Sequence, residues 1–265
     1  MGIVRKWGLF CCLLMSGPAR AADAAHTIRL AAEDWPPFIA QALPGDGVSG
    51  SFISAVLARS GYVLKVDYFP WKRTMQFGLT NPHYAGFLAV WRTPEREKLC
   101  HFSAPIGNTH TVLAYLKEAP LHAQNLTELK GVKIGTVAGY ANGEQFDAMV
   151  KSGELTTEEG VNDETNLKKL FIKRFKVMII EKHVLRHLLL GPDFNQGERE
   201  SIAIADTFFK ERPVHICFKR NPEGEVQQKM FNLGAREIDL LKMEKDYWRH
   251  LGQDSAAAPA GGAQR

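Results

Sequence analysis

The side chains able to do chemistry are few and scattered along this chain. His183 and His187 stand four apart in a stretch of helical periodicity, a spacing that lets two imidazoles grip zinc from one helix face. No H-E-x-x-H run and no third ligand accompany them, so solvated helix histidines are expected and no metal site. Gly131, Gly135 and Gly139 lack the Gly-Lys-Ser/Thr ending of a phosphate loop, and they do not form the dinucleotide fingerprint. No G-x-S-x-G elbow is present either. The expectation is therefore a chain with no cofactor and no catalytic machinery. Two features suit binding instead. Gly139-Tyr140-Ala141-Asn142 leads into a helix, where free backbone N–H groups and the helix dipole favour an anion. Trp35 heads the run Trp35-Pro36-Pro37-Phe38, whose prolines force an extended loop and so present a large aromatic face.

The two ends stand apart from this. Arg5 and Lys6 precede the apolar run Trp7–Met15, Ser16-Gly17-Pro18 breaks it, and Ala19-Arg20-Ala21 has the small residues of an export cleavage site. A nine-residue run is too short to cross ~30 Å of hydrocarbon at ~1.5 Å per residue. Residues 1–21 are thus expected to be a cleaved signal peptide and the mature chain to be periplasmic. Losing Arg5, Lys6 and Arg20 takes Lys plus Arg from 33 to 30 against 29 acids, a formal charge of +1. That balance gives no case for a nucleic-acid or anionic-membrane partner. Cys11 and Cys12 leave with the leader. Cys100 and Cys217 remain, and an exported compartment permits either a bridge or two buried thiols. Residues 253–265 are small and polar without apolar periodicity, so a disordered tail is expected.

Positioning these groups falls to alternating short strands and helices, the pattern of α/β layers. Thr27–Ala31, Val63–Phe69 and Gly86–Val90 read as strands, with helices over Ser51–Ser60 and Trp71–Leu79. A second set follows, with strands at Val112–Leu116, Val132–Val137, Val177–Ile180, Ile202–Ala205 and Val214–Phe218. Helices are expected within Gly139–Lys151, at Asn166–Phe171 and Lys182–Leu190, and as one long segment over Glu223–Leu251. With 265 residues and 45% hydrophobic content, a core burying roughly 70% of the unfolded surface is available without metals or disulfides.

Several islands then line up in order: Trp35-Pro36-Pro37-Phe38, Gly50-Ser51-Phe52, Pro70-Trp71-Lys72-Arg73, Thr93-Pro94-Glu95-Arg96-Glu97-Lys98, Phe102-Ser103-Ala104-Pro105-Ile106, and Leu126–Gly131 leading into Val132-Lys133-Ile134-Gly135. Together they resemble the bacterial extracellular solute-binding proteins of family 3, periplasmic receptors for polar amino acids, over roughly residues 27–251. The resemblance implies a type II periplasmic-binding-protein fold, two α/β lobes joined by two crossing hinge strands. Lobe 1 would comprise 22–112 plus 219–252, and lobe 2 would comprise 113–218. It also implies a monomer that closes on a small ligand and presents it to an inner-membrane ABC permease.

The same resemblance assigns roles to named residues. Arg96 would fork onto the ligand carboxylate, as a planar guanidinium does best. Trp35 and Trp71 would wall the ligand side chain, and Trp91 stands where relatives often carry a hydroxyl. Tyr140 and Ala141 would hold the carboxylate from the opposite lobe. Glu181 would accept the α-ammonium, while Lys176 departs from an aspartate that many relatives carry. Two alternatives accompany the binding reading. One is a periplasmic dehydratase on this fold, with Glu181 as its general acid; the other is a sensory or orphan receptor without a transporter.

Overall fold

The computed structural model describes residues 26–257; the expected leader and residues 258–265 of the expected tail lie outside the described residues. The chain opens with β1 (His26–Ala32), whose Ile28, Leu30, Ala31 and Ala32 are buried. It pairs parallel with β2 (Tyr62–Tyr68) and β3 (Gly86–Trp91). Parallel neighbours need crossovers, which α1 (Gly47–Ala58) and α2 (Trp71–Thr80) supply. The short α3 (Pro94–Glu97) follows, started by Thr93, whose side chain accepts from the Arg96 N–H. The short strands β4 (Cys100–Phe102) and β5 (Gly107–Thr109) follow and belong to this same sheet.

The second sheet is built from β6 (Thr111–Leu116), β7 (Lys133–Val137), β8 (Thr156–Gly160), β9 (Val177–Glu181) and β10 (Ile202–Ala205), in the order β10-β6-β9-β7-β8. The helices α4 (Glu144–Lys151), α5 (Asp163–Phe171), α6 (Lys182–Leu190) and α7 (Gln196–Ser201) connect its strands. The chain then returns through β11 (Arg212–Lys219) and ends in α8 (Pro222–Ala235) and α9 (Leu240–Ala257).

Four expectations need correction. β11, expected in the second lobe, pairs with β3, β4 and β5, so residues 212–218 belong to the first sheet, ordered β2-β1-β3-β11-β4. The segment Thr156–Gly160, polar and unassigned by pattern, is the edge strand β8, parallel to β7. Its Glu158 meets Lys133, Lys169 and Arg174, charges of the kind that protect an exposed edge. The long C-terminal segment is two helices, broken after Ala235. Finally, α9 runs to Ala257, into the stretch expected as tail.

The main core is continuous from one sheet to the other: Trp35, Phe38 and Trp91 belong to the same buried cluster as Leu167, Phe175 and Ile180. A second cluster lies in the second sheet around Leu113, Ile134 and Phe146, and a third around Trp71, Phe87 and Phe102. Within that third cluster Cys100 and Cys217 are joined in a disulfide, Cα to Cα 5.1 Å, tying β4 to β11. Of the two states the sequence left open, the structure has the bridge.

Candidate functional site

The carboxyl ends of the parallel strands of both sheets point at one another. This is the place where open α/β sheets characteristically bind ligands. Glu33 and Trp35 follow β1, Trp91 ends β3, Gly139 and Tyr140 follow β7, and Asp163 follows β8. Each sheet therefore delivers its loop residues to a shared cleft.

Three tryptophans and a tyrosine form the centre. The Trp35 and Trp91 rings meet edge to face at 5.6 Å and 88°. Tyr140 stands edge-on to Trp91 at 5.7 Å and to Trp71 at 5.7 Å. Together with Ala89 and Glu33 they enclose a cavity of about 10 Å³, space for one water. A neighbouring cavity of about 130 Å³ is bordered by Glu33, Asp34, Trp35, Tyr140, Asp163 and Glu164. A third, of about 270 Å³, continues past Glu33 and Asp34 to Tyr68 and Pro70.

Trp91 reaches this centre through an irregularity. Plain alternation along β3 would put Trp91 on the side of Phe87. The ladder with β11 slips between His215 and Cys217, and Ala89 takes a φ of +60°. The extra residue inverts the alternation, so Val90 stays with Phe87 while Trp91 joins Leu88 and Trp35. The Trp91 indole N–H then donates to Thr109 Oγ1 at 2.9 Å.

At one end of the cleft lie two arginines. Arg96 donates to the Trp91 carbonyl at 2.9 Å and across the cleft to the Gly139 carbonyl at 3.1 Å, with its guanidinium 5.5 Å from the Trp71 ring centre. It does not pair with Glu97, which takes Arg92 instead. Arg212, at the start of β11, donates to the Ala141 carbonyl at 2.6 Å and stacks 4.0 Å over Trp91. Burial pulls both guanidinium groups down to about 10, with Asp147 opposing the shift in each; both remain cations at neutral pH. Gly139 allows this convergence. Its φ is +84°, and a Cβ there would lie 3.3 Å from Trp71 Cδ1, whose indole N–H donates to the Gly139 carbonyl at 2.9 Å.

At the other end lie two buried acids, one from each sheet. Glu33 is 7% exposed and Asp163 4% exposed. The Tyr140 hydroxyl donates to Glu33 Oε2 at 2.6 Å and lies 3.5 Å from Asp163 Oδ2, which accepts from the Trp35 indole N–H at 3.0 Å. Burial pushes the Glu33 carboxyl up to about 8, helped by Asp163 and opposed by the Tyr140 hydroxyl. Burial likewise lifts Asp163 to about 7, against the Trp35 and Tyr140 hydrogen bonds.

Not every residue singled out in the sequence meets the cleft as expected. Both oxygens of Glu181, 2% exposed, are taken by backbone N–H groups. Oε1 accepts from His110 at 3.0 Å, and Oε2 from His183 at 2.6 Å and Val184 at 2.9 Å. It is the N-cap of α6 and holds no oxygen out to an ammonium, which corrects its assignment. The expected anion site at Tyr140 and Ala141 is corrected at Tyr140. The helix begins only at Glu144, the Tyr140 N–H bonds the Val137 carbonyl, and Asp147 already accepts the Asn142 N–H at 3.1 Å. Tyr140 contributes a ring and a hydroxyl, and Ala141 a carbonyl. His183 is half-buried rather than solvated, its ring stacked on Trp248 at 4.7 Å and 7°. Sequence reasoning passed over Glu33, Asp163 and Arg212. Their only signal was adjacency: Glu33 two residues before Trp35, Asp163 beside a capping Asn162, and Arg212 before Pro213.

No protein-family model matches the sequence, and no curated protein sequence matches it. Solved structures do. An ancestral arginine-binding protein bound to arginine superposes with a TM-score of 0.69 at 17% identity, covering 84% of this chain and 97% of that one. The chain has the two-lobed periplasmic-binding-protein fold. A substrate-binding protein of an amino acid ABC transporter from Streptococcus pneumoniae, AbpA, bound to L-arginine, gives 0.67 at 17% identity over 84% and 94% of the two chains. A histidine kinase sensor domain with similarity to periplasmic binding proteins gives 0.69 at 12% identity over 86% and 96%. In this two-lobed fold, the cleft just described lies between the lobes. Among the described residues, no helix is long and apolar enough to cross a membrane.

Proposed function

We propose that the protein is a periplasmic solute-binding protein that captures a small zwitterion, an amino acid, and hands it to the inner-membrane permease of an ABC importer. On this reading it is an exported monomer that performs no catalysis and whose lobe closure on the ligand is the signal to the permease. The observation that carries the reading is the composition of the interlobe cleft. Arg96 and Arg212 stand at one end, an aromatic centre lies between, and a pair of buried acids stands at the other. A zwitterion has a charge for each end, and closure between lobes that both contribute contacts is driven by differential affinity for the closed arrangement. The structures similar in fold include amino-acid receptors with arginine bound, which supports the same ligand class.

The dehydratase alternative loses its candidate acid, because Glu181 is committed to capping α6. The sensory alternative keeps one point in its favour, the kinase sensor domain of the same fold. A thermal-shift screen over the amino acids tests the main reading, since a ligand of the native state raises Tm by mass action. At least one zwitterion should raise Tm in the wild type and fail to do so in Arg96→Ala. A screen with no shift, or shifts that survive the substitution, would sink it.

A further inference from the structure

The acid end of the cleft carries more charge than the Tyr140 hydroxyl can satisfy. Tyr140 has one hydroxyl hydrogen, given to Glu33 at 2.6 Å, while Asp163 lies 3.5 Å away. Oε1 of Glu33 and Oδ1 of Asp163 have no hydrogen-bond partner among the described residues. A buried acceptor without a donor is costly, and two such acceptors at the edge of an aromatic enclosure call for a group that is both cationic and rich in N–H. Glu33 borders all three cavities and Asp163 the 130 Å³ one. Among the described residues that line these cavities none is a lysine, arginine or histidine.

We infer that Glu33 and Asp163 form a two-carboxylate seat for a guanidinium or primary ammonium group of the ligand, which displaces a proton held by the pair as it binds between the lobes. The inference rests on the solute-binding reading and specifies which zwitterion: one whose side chain is a cation. The two acids come from opposite sheets, so with both ionised they push the lobes apart, and a shared proton or a shared cation lets them close. Three further acids surround the pair. Asp34 adjoins Glu33, Glu164 adjoins Asp163, and Glu181 feels Asp163 from the end of β9. His187 on α6 faces Asp34, but burial holds its titration below the ordinary value, and the backbone N–H of Trp71 opposes the rise at Glu33 without reversing it. Burial holds Glu33 and Asp163 near about 8 and about 7, so a cation that ionises them at neutral pH must release a proton.

The test uses calorimetry with L-arginine, L-citrulline, its uncharged near-isostere, and agmatine, which lacks the carboxylate. Arginine should bind at least 100-fold more tightly than citrulline. Its affinity should rise with pH between 6 and 8, by at most about tenfold per pH unit for each proton released, and heats measured in two buffers of different ionisation enthalpy should report that release. Glu33→Gln and Asp163→Asn should each weaken arginine at least tenfold and reduce the proton release. Neither should lower the Tm measured without ligand at pH 8, which separates lost binding from lost folding. Citrulline binding as well as arginine, a pH-independent arginine affinity, or no arginine binding at all would overturn the seat. Should a neutral amino acid bind in an Arg96-dependent way while arginine does not, the receptor reading stands and the seat falls. If agmatine matches arginine and ignores Arg96→Ala, the seat stands and the zwitterion reading falls.

Discussion

The two ends of the cleft solve opposite problems. At the arginine end every charge has found protein: Arg96 and Arg212 rest on the carbonyls of Trp91, Gly139 and Ala141. At the acid end Glu33 and Asp163 each retain an oxygen without a donor. Guanidinium groups are weakly hydrated and accept neutral carbonyls as partners, so they can span a cleft without a counter-ion. At Glu33 and Asp163 the neutral donors of Tyr140 and Trp35 leave one oxygen of each unserved, and burial favours the protonated form. The difference teaches that contacts between the lobes and readiness for a ligand are separable. Both ends cross from one lobe to the other, the arginines through backbone carbonyls and the acids through the Tyr140 hydroxyl and the Trp35 indole, but only the acids leave oxygens open.

The largest effect should come from the arginine end. Arg96→Ala is expected to cost about 2–5 kcal/mol of ligand binding, the usual range for truncating one partner of a charge-assisted pair. Calorimetry checks it, and an unchanged Kd would show the arginine end to be structural only.

A pH titration of stability comes next. The folded-state values of Glu33, Asp163 and Glu181, about 8, about 7 and about 7, all lie above their ordinary values. An acid raised on folding holds its proton longer in the native state than in the unfolded one. Its unfavourable contribution is absent below the unfolded value, grows as pH rises through the window between the two, and is complete above the folded value. His183, His187 and His215, whose values burial lowers, act in the opposite sense below their ordinary value of 6.5. Without ligand, Tm should therefore fall between pH 6.5 and pH 8, and Glu33→Gln should flatten that fall. A Tm that climbs across this window would contradict the burial of the acids.

Glu181→Gln distinguishes a cap from a ligand contact. The amide keeps one acceptor but turns an N–H toward a backbone donor, so stability should drop by about 1–3 kcal/mol, while affinity for any ligand stays within about twofold. Strong loss of binding at unchanged stability would return Glu181 to the cleft. The smallest effect is expected for Trp35→Phe. It keeps the aromatic wall and removes the indole donor to Asp163, at a cost of about 1 kcal/mol in stability and with a further rise in the Asp163 titration followed by NMR.

The legible part of the site was its aromatic part. Trp35 could be picked out because its prolines mark a position where a large ring faces a cleft, and Trp71 and Trp91 through the resemblance to solute-binding proteins. The acids were harder to see. Glu33 and Asp163 are ordinary carboxylates in sequence, and only the meeting of two loops 130 positions apart in the chain buries them together. Glu181 shows the converse. Its place at a strand end suggested an open carboxylate, but the next residue starts α6, and the helix N–H groups claim both oxygens.

Sequence by itself determined the local parts of this protein. Proline, glycine and apolar alternation mark where most strands begin and where helices start, because those choices depend on neighbours a few residues away. The loop expected to be extended at Trp35-Pro36-Pro37-Phe38 instead closes into a turn, with the Phe38 and Ile39 N–H groups on the Trp35 carbonyl. The tertiary structure alone decided which way Trp91 faces, since a slip against β11 turned it toward Trp35. It alone decided that β11 closes the first sheet rather than the second, and that Cys100 reaches Cys217. It also decided that two acids share one hydroxyl. Register, disulfide pairing and the protonation of buried groups are set by residues far apart in the chain, and a local pattern carries no record of who those partners are.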